Sequence, residues 1–245
     1  MVYEHIYNNK VTEFGCLPSE KYPILAASPD GICSKSTLDG KFSERLGTML
    51  EIKCPVTREI KTKGKICGEI CPFYYYLQIQ QQLLCCELEK CDFWQCKILE
   101  YESREEYIKD TTMKSKLTEG IDSKEKEINP LITKGCLLQL LPIKYELDPT
   151  NKQDCHEFKA KFIYPPRLDL TTEEYDEWTI DSIANWKNRY PEWASNYYLD
   201  KIIYWYIPLS HNVEICKRED WFLSTIYSVL LKTWNKVKIY QLQNS

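Results

Sequence analysis

The chain has 245 residues, 28% of them charged, with a formal net charge of −4. Such a length can bury a substantial core, as one domain with insertions or as a domain with an extension, while the acidic balance argues against nonspecific adhesion to nucleic acid unless positive charge is gathered around one channel. No apolar leader opens the chain and no apolar run approaches membrane-spanning length, so its 12 cysteines are expected in a reducing, intracellular setting rather than in the disulfides of a secreted protein.

The spacing of those thiols does not suit structural zinc. Cys67 and Cys71, Cys85 and Cys86, and Cys91 and Cys96 form no Cys-x-x-Cys knuckles, and the imidazoles are those of His5, His156 and His211. Most of the cysteines therefore read as small buried hydrophobes or incidental surface residues.

In chain order, Val2, Tyr3 and Ile6 recur at helical spacing, and Asn8-Asn9 reads as a stop. A strand is expected from Lys10 to Gly15. Pro23 to Ala27 then leads into Ser28-Pro29-Asp30-Gly31, a turn that can hold the Asp30 carboxylate against the end of a neighbouring strand. Residues 33–47, rich in Ser, Thr, Gly and charge, read as a hairpin excursion. Thr48 to Lys53 reads as a short buried strand. Because strand side chains alternate, Glu51 and Lys53 share one face, and Leu50 and Ile52 the other. Pro55 cannot donate to a ladder, so the strand stops with the pair near an accessible end. Phosphodiester hydrolysis needs hard oxygen ligands for Mg²⁺, an activated water and a cation to offset charge on the phosphorane. Asp30, Glu51 and Lys53 are of those types. Alone, a Glu-x-Lys pair in a strand is more simply a surface ion pair.

Arg58, Lys61, Lys63 and Lys65 follow in a basic loop, which reads equally as DNA-facing charge or as a solvated segment. Pro72 suits the first turn of a helix running to about Glu87, with Gln78 and Gln82 on one face and Ile79, Leu83 and Cys86 on another. Tyr74 to Tyr76 suit either core or stacking on a base. Asp92 to Tyr101 reads as a further strand, and the charge-dense stretch from Glu102 to Asn129 as an exposed helix or mobile insertion. Beyond Pro130, Leu137 to Ile143 and Phe158 to Tyr164 are short apolar runs. Thr171 and Glu174 form a capping box for a helix ending before Pro191, Leu199 to Leu209 is a strand candidate, and a last helix starts at about Glu219.

Ser-Pro-Asp-Gly, then Leu-Glu-Ile-Lys-Cys-Pro, then Tyr-Tyr-x-x-Gln-x-Gln, in that order within residues 1–100, resembles the phage lambda exonuclease (YqaJ-type) family of viral recombination nucleases, within the PD-(D/E)XK superfamily. The resemblance implies an α/β restriction-endonuclease-like core with a mixed central sheet flanked by helices. This core would span residues 1–165 with a charged insertion at 102–129, followed by a C-terminal α/β extension over 166–245. It implies a Mg²⁺ site, open to Mn²⁺, ligated by Asp30, Glu51 and the Ile52 carbonyl, with Lys53 positioning water and stabilising charge and Gln78 orienting the site. Ser28, Arg58, Lys61, Lys63, Lys65, Tyr75, Gln80 and Gln82 would contact DNA. The implied activity is 5′ to 3′ degradation of one strand of linear duplex DNA, leaving a 3′ single strand for an annealing protein, by a ring of three subunits in the host cytoplasm or nucleus. In the family an earlier helix brings a 5′-phosphate pocket and a further metal-binding glutamate, which would lie before residue 1. Three readings then stay open: a fragment, substitution by Glu4 or Glu13, or a chain that binds DNA ends without cutting. Another PD-(D/E)XK repair or RNA-cleaving nuclease is a further alternative. The clustered cysteines of the family's iron–sulfur branch are not matched.

Overall fold

The computed structural model describes residues 1–121, 124–144 and 159–243; Cys155, His156 and Phe158 lie outside them. Helix α1 (Val2–Tyr7) stops at Asn8, whose φ of 46° is one that Asn tolerates better than most residues. Short strands β1 (Val11–Thr12), β2 (Leu17–Pro18), β3 (Ala26–Ala27) and β4 (Gly31–Cys33) follow, then β5 (Met49–Lys53), α2 (Phe73–Cys85) and β6 (Lys90–Glu100). Next come α3 (Arg104–Lys109), β7 (Ser115–Glu119), β8 (Lys126–Ile128), β9 (Lys134–Pro142), β10 (Lys161–Ile163), α4 (Thr172–Arg189), α5 (Pro191–Ala194), β11 (Tyr197–Cys216), α6 (Glu219–Phe222) and α7 (Ser228–Gln243).

These elements form two compact units that interleave along the chain. The first comprises Tyr3–Lys97, Lys116–Lys126 and Leu209–Ser245, and the second Met1–Val2, Ile98–Ser115 and Glu127–Pro208. A division at residue 165 is therefore not the one the contacts make. β6 and β11 each contribute to both units: residues 98–100 of β6 belong to the second, and the last part of β11, a single strand of 20 residues, belongs to the first.

In the first unit β1 is antiparallel to β4, β4 antiparallel to β5, and β5 parallel to β6. Parallel neighbours need a crossover connection, and α2 supplies it. Beyond β6 lie β11 and then β7, which pairs in parallel with Leu209–Asn212. This is a mixed α/β fold with a central mixed sheet flanked by helices. Tyr76, Ile79 and Leu83 of α2 recur at helical spacing and bury against Met49, Cys91 and Phe93 of β5 and β6 and against Val213 and Ile215 of β11. Each such side chain contributes about 1.5–3 kcal/mol on burial, which fixes α2 over the face of β5 that carries Glu51. Gly31 is required by crowding: a Cβ there would lie 2.2 Å from the Val11 Cγ1 atom.

In the second unit β9 pairs antiparallel with β10 and with Tyr197–Tyr206 of β11, around a core of Leu138, Leu140, Ile163 and Trp186. The expected capping box opens α4. Thr171 Oγ1 accepts the Glu174 N–H, and the Glu174 carboxylate accepts the Thr171 N–H. The charge-dense stretch is not a helical or mobile insertion throughout: it contains α3 and also β7 and β8. Charge density hid β7 because Ser115, Leu117 and Thr118 are buried while Lys116 pairs with Glu125 and Lys126 with Glu119 at the surface. No described helix is long and apolar enough to cross a membrane.

Candidate active site

The site lies in the first unit, where pairing between β4 and β5 runs out. The register pairs Gly31 with Leu50 and Ile32 with Met49. Two residues further along β5, the Asp30 carboxylate takes the place of a strand and accepts the Ile52 N–H at 2.7 Å. The Pro-Asp-Gly turn thus fixes an exposed carboxylate beside the strand that carries Glu51 and Lys53.

Glu51 is 1% exposed, and a carboxylate so placed costs several kcal/mol unless its oxygens are satisfied. Three donors satisfy them. Oε1 accepts from Lys53 Nζ and, at 2.8 Å, from Gln78 Nε2, while Oε2 accepts from Gln82 Nε2 at 2.9 Å. The second N–H of the Gln82 amide reaches the Ser28 carbonyl at 3.3 Å, so both of its partners are acceptors and the orientation of the amide is determined. Its Oε1 is buried without a partner. Lys53, whose side chain is 20% exposed, stands 4.8 Å over the Tyr75 ring, a cation–π contact that limits where its ammonium can go. Tyr75, Gln78 and Gln82 are spaced i, i+3, i+7 and form the stripe of α2 that faces β5.

Asp30, Glu51, Lys53 and Gln78 are therefore brought into one connected arrangement. Other expected roles change. Gln80 is fully buried, donates to the Cys216 carbonyl at 3.0 Å and accepts the Arg218 N–H at 2.7 Å; it ties α2 to the end of β11 and has no surface to offer DNA. Gln82, 3% exposed, is likewise no DNA contact but a support for Glu51. Tyr75 is partly buried beneath Lys53, and Ser28 is tied in through its carbonyl. Arg58 donates at 2.7 Å to Gln95, the β6 residue in register with Lys53, whereas Lys61, Lys63 and Lys65 are exposed on the following loop. Glu4 does not join the site contacts. Its carboxylate accepts the Val11 N–H at 2.9 Å, and against the upward pull of burial this bond helps hold its carboxyl below the usual range. Glu13 is exposed.

Two buried titratable groups escaped sequence reasoning. Asp92 pairs in register with Leu50 and so points to the face opposite Glu51, where Arg45 donates to it at 2.6 Å and Tyr3 through its hydroxyl. Burial and that carboxylate hold the Tyr3 hydroxyl far above its usual range. The cluster ties α1 and the hairpin excursion to β6, and Asp92 flanked by Cys91, Phe93 and Trp94 was its one signal in the sequence. His211 is fully buried, shares a hydrogen bond of 2.8 Å between Nδ1 and Thr118 Oγ1, and is held below its usual pKa by burial.

Among the described residues no group of three or more His, Cys, Asp or Glu side chains could hold a metal. Mg²⁺ needs no such cage: it is bound through one or two carboxylates, with water and phosphate oxygens completing the shell. The donors of Asp30, Glu51 and the Ile52 carbonyl are all oxygen, as a hard cation requires. A carboxylate offers about four acceptor positions, of which the Glu51 contacts above use three and the Asp30 contact one. The residues present fit such an ion.

Residues 1–89 match the YqaJ-like viral recombinase domain. The matched segment contains all three motifs on which the resemblance rested. The chain is also 42% identical over 205 residues to "Uncharacterized protein R354" of Acanthamoeba polyphaga mimivirus, an alignment covering 84% of this chain and 35% of that one. The chain thus spans about a third of the length of this viral relative. Over its YqaJ-like segment the Glu51 site uses β5, α2 and the Asp30 turn, all within the match.

Proposed function

We propose that the chain is a Mg²⁺-dependent nuclease of the PD-(D/E)XK type that degrades one strand of linear duplex DNA from the 5′ end, leaving a 3′ single strand for recombination or genome processing. The observation that carries the reading is Glu51. It is buried, yet held by Lys53, Gln78 and Gln82 next to the Ile52 amide that anchors Asp30. A surface ion pair needs no such support. The YqaJ-like match adds the recombinase context.

Asp30, Glu51 and the Ile52 carbonyl would hold the ion, with Mn²⁺ able to substitute. When bound, Mg²⁺ supplies a lowered water pKa and charge neutralisation at phosphate. The chain's own residues do the positioning. Gln78 and Gln82 fix the Glu51 carboxylate in advance, so that little reorganisation accompanies reaction. Lys53, kept in place by Glu51 and the Tyr75 ring, brings a positive charge and N–H donors to the attacking water and the phosphate oxygens. Arg58, Lys61, Lys63 and Lys65 offer charge to the DNA backbone on a chain that is acidic overall. An annealing protein as partner, a ring of three subunits, and action in the host cytoplasm or nucleus belong to the same proposal.

The test supplies 5′-phosphorylated linear duplex DNA, a closed circle and single-stranded RNA in parallel, with Mg²⁺ and then with EDTA. The expected result is shortening of one strand of the linear duplex alone, from the 5′ end, and none in EDTA. Cleavage of the circle or of RNA would point to a different nuclease branch. Binding of DNA ends without cleavage in Mg²⁺ or Mn²⁺ would replace the enzyme by an end-binding protein.

A further inference from the structure

We propose that Cys54 and Cys96 form a thiol–disulfide exchange site that takes low-molecular-weight disulfides of the glutathione class. Lys53 and Gln95 are the last residues of β5 and β6 in parallel register, so Cys54 and Cys96 occupy the next opposed positions. By strand alternation they lie on the face away from Glu51 and Lys53. Their sulfurs are 3.3 Å apart, and a covalent bond needs an approach closer by only about 1 Å. Neighbouring strands about 4.8 Å apart put the two Cα atoms inside the range that a disulfide spans, roughly 4.4–6.8 Å.

The two thiols differ in access. Cys54 is exposed just beyond the strand, whereas Cys96 is 1% exposed. That asymmetry assigns the roles. The Cys54 sulfur attacks one sulfur of the small disulfide, breaking that S–S bond and releasing one small thiol, which carries away the proton that Cys54 loses. The Cys96 sulfur then attacks Cys54 Sγ in the mixed disulfide, releases the second small thiol and leaves a Cys54–Cys96 bond. The protein loses two electrons and two protons, and the small disulfide gains them. Other buried cysteines have different neighbours: Cys33 contacts the Tyr3 hydroxyl, Cys71 the Pro72 carbonyl and Cys136 the Thr179 hydroxyl. Among the described residues no second thiol–thiol contact of this kind is found. The inference does not rest on the nuclease reading, although the bond would fix the chain immediately after Lys53 to β6.

The test incubates the folded full chain with oxidised and reduced glutathione at set ratios, alkylates the remaining thiols and maps linked peptides by mass spectrometry. The expected first disulfide joins the Cys54 and Cys96 peptides, and prior unfolding in urea abolishes that selectivity. In Cys96→Ser the reaction is expected to stop at a glutathione adduct on Cys54, and in Cys54→Ser, an exposed and mild substitution, Cys96 stays reduced. If another pair oxidises first in the wild-type chain while Cys54 and Cys96 remain alkylated, the proposal is wrong whatever the variants do. A wild-type adduct on Cys54 that persists as it does in Cys96→Ser would also overturn it.

Discussion

Each compact unit holds a partly buried lysine beside an aromatic ring, and the two lysines are set for opposite purposes. In the second unit Lys134 donates at 2.8 Å to the Tyr107 and Asp110 carbonyls and stands 4.5 Å over the Tyr107 ring. It lines a cavity of about 180 Å³ with Met113, Leu131 and Leu170. Burial lowers its pKa, against the opposing pull of Asp110. A perturbed lysine in a cavity is a usual mark of an active site. Yet two of its protons are committed to backbone carbonyls, and the Asp110 carboxylate accepts the Tyr101 hydroxyl and the Thr112 N–H. In the first unit Lys53 has a carboxylate as partner, with a second, exposed carboxylate anchored to the intervening residue. The difference lies in what the cation faces. Carbonyls lock a lysine into the fold, whereas carboxylates that retain free lone pairs leave it able to exchange partners with a metal, water or phosphate.

The largest expected contrast is between the two lysines themselves. Lys53→Met is expected to lower the rate of DNA cleavage by about 10²–10³-fold, and Asp30→Ala comparably, in single-turnover assays with Mg²⁺. Lys134→Met leaves that rate unchanged. Next is Gln82→Leu, which removes a support of Glu51 without touching DNA. A loss of about 10–100-fold in rate or metal affinity is expected, read together with Mg²⁺ titration, while Gln80→Leu weakens the fold and leaves the Mg²⁺ midpoint in place. A smaller effect separates the stabilities. Lys134→Met is expected to cost about 1–3 kcal/mol in urea unfolding, because it leaves the Tyr107 and Asp110 carbonyls without their donor.

The smallest effect is in alkali. The Lys134 pKa is lower in the folded chain than in the unfolded one, so its linked stability is present above the unfolded value and lost as pH falls through the folded one. Between those two values the stability of the wild type relative to Lys134→Met should rise with pH. A difference that falls with pH would show that Lys134 is stabilised as a cation.

The motifs made the Glu51 site legible because strand alternation and a Pro-Asp-Gly turn dictate local geometry: Glu51 and Lys53 share a face, Asp30 is held by the strand, and Asn8 ends α1. The Thr171 and Glu174 capping box was equally readable, since both partners lie within one helical turn. What could not be read depended on distant partners. Gln80 and Gln82 both read as polar side chains available to DNA, but only tertiary packing sends the first to Cys216 and the second to Glu51. Asp92 and Arg45 are 47 residues apart, and no local pattern joins them. β7 was hidden because surface ion pairs in a strand have the same composition as a solvated insertion. The interleaving of the two units follows from strands whose residues fall to both, β6 and β11 above all, and no turn signal divides either of them at the boundary.

The most direct test of the account preassembles complexes of linear duplex DNA with the wild type, Lys53→Met and Lys134→Met in EDTA, then adds excess Mg²⁺ and follows release of nucleotides. All three are expected to bind DNA alike, and the wild type and Lys134→Met to cleave at the same rate while Lys53→Met stays nearly inert. Cleavage by Lys53→Met at the wild-type rate would contradict the assignment of the site to Glu51 and Lys53. Loss of cleavage in a folded Lys134→Met chain would place function at Lys134 instead.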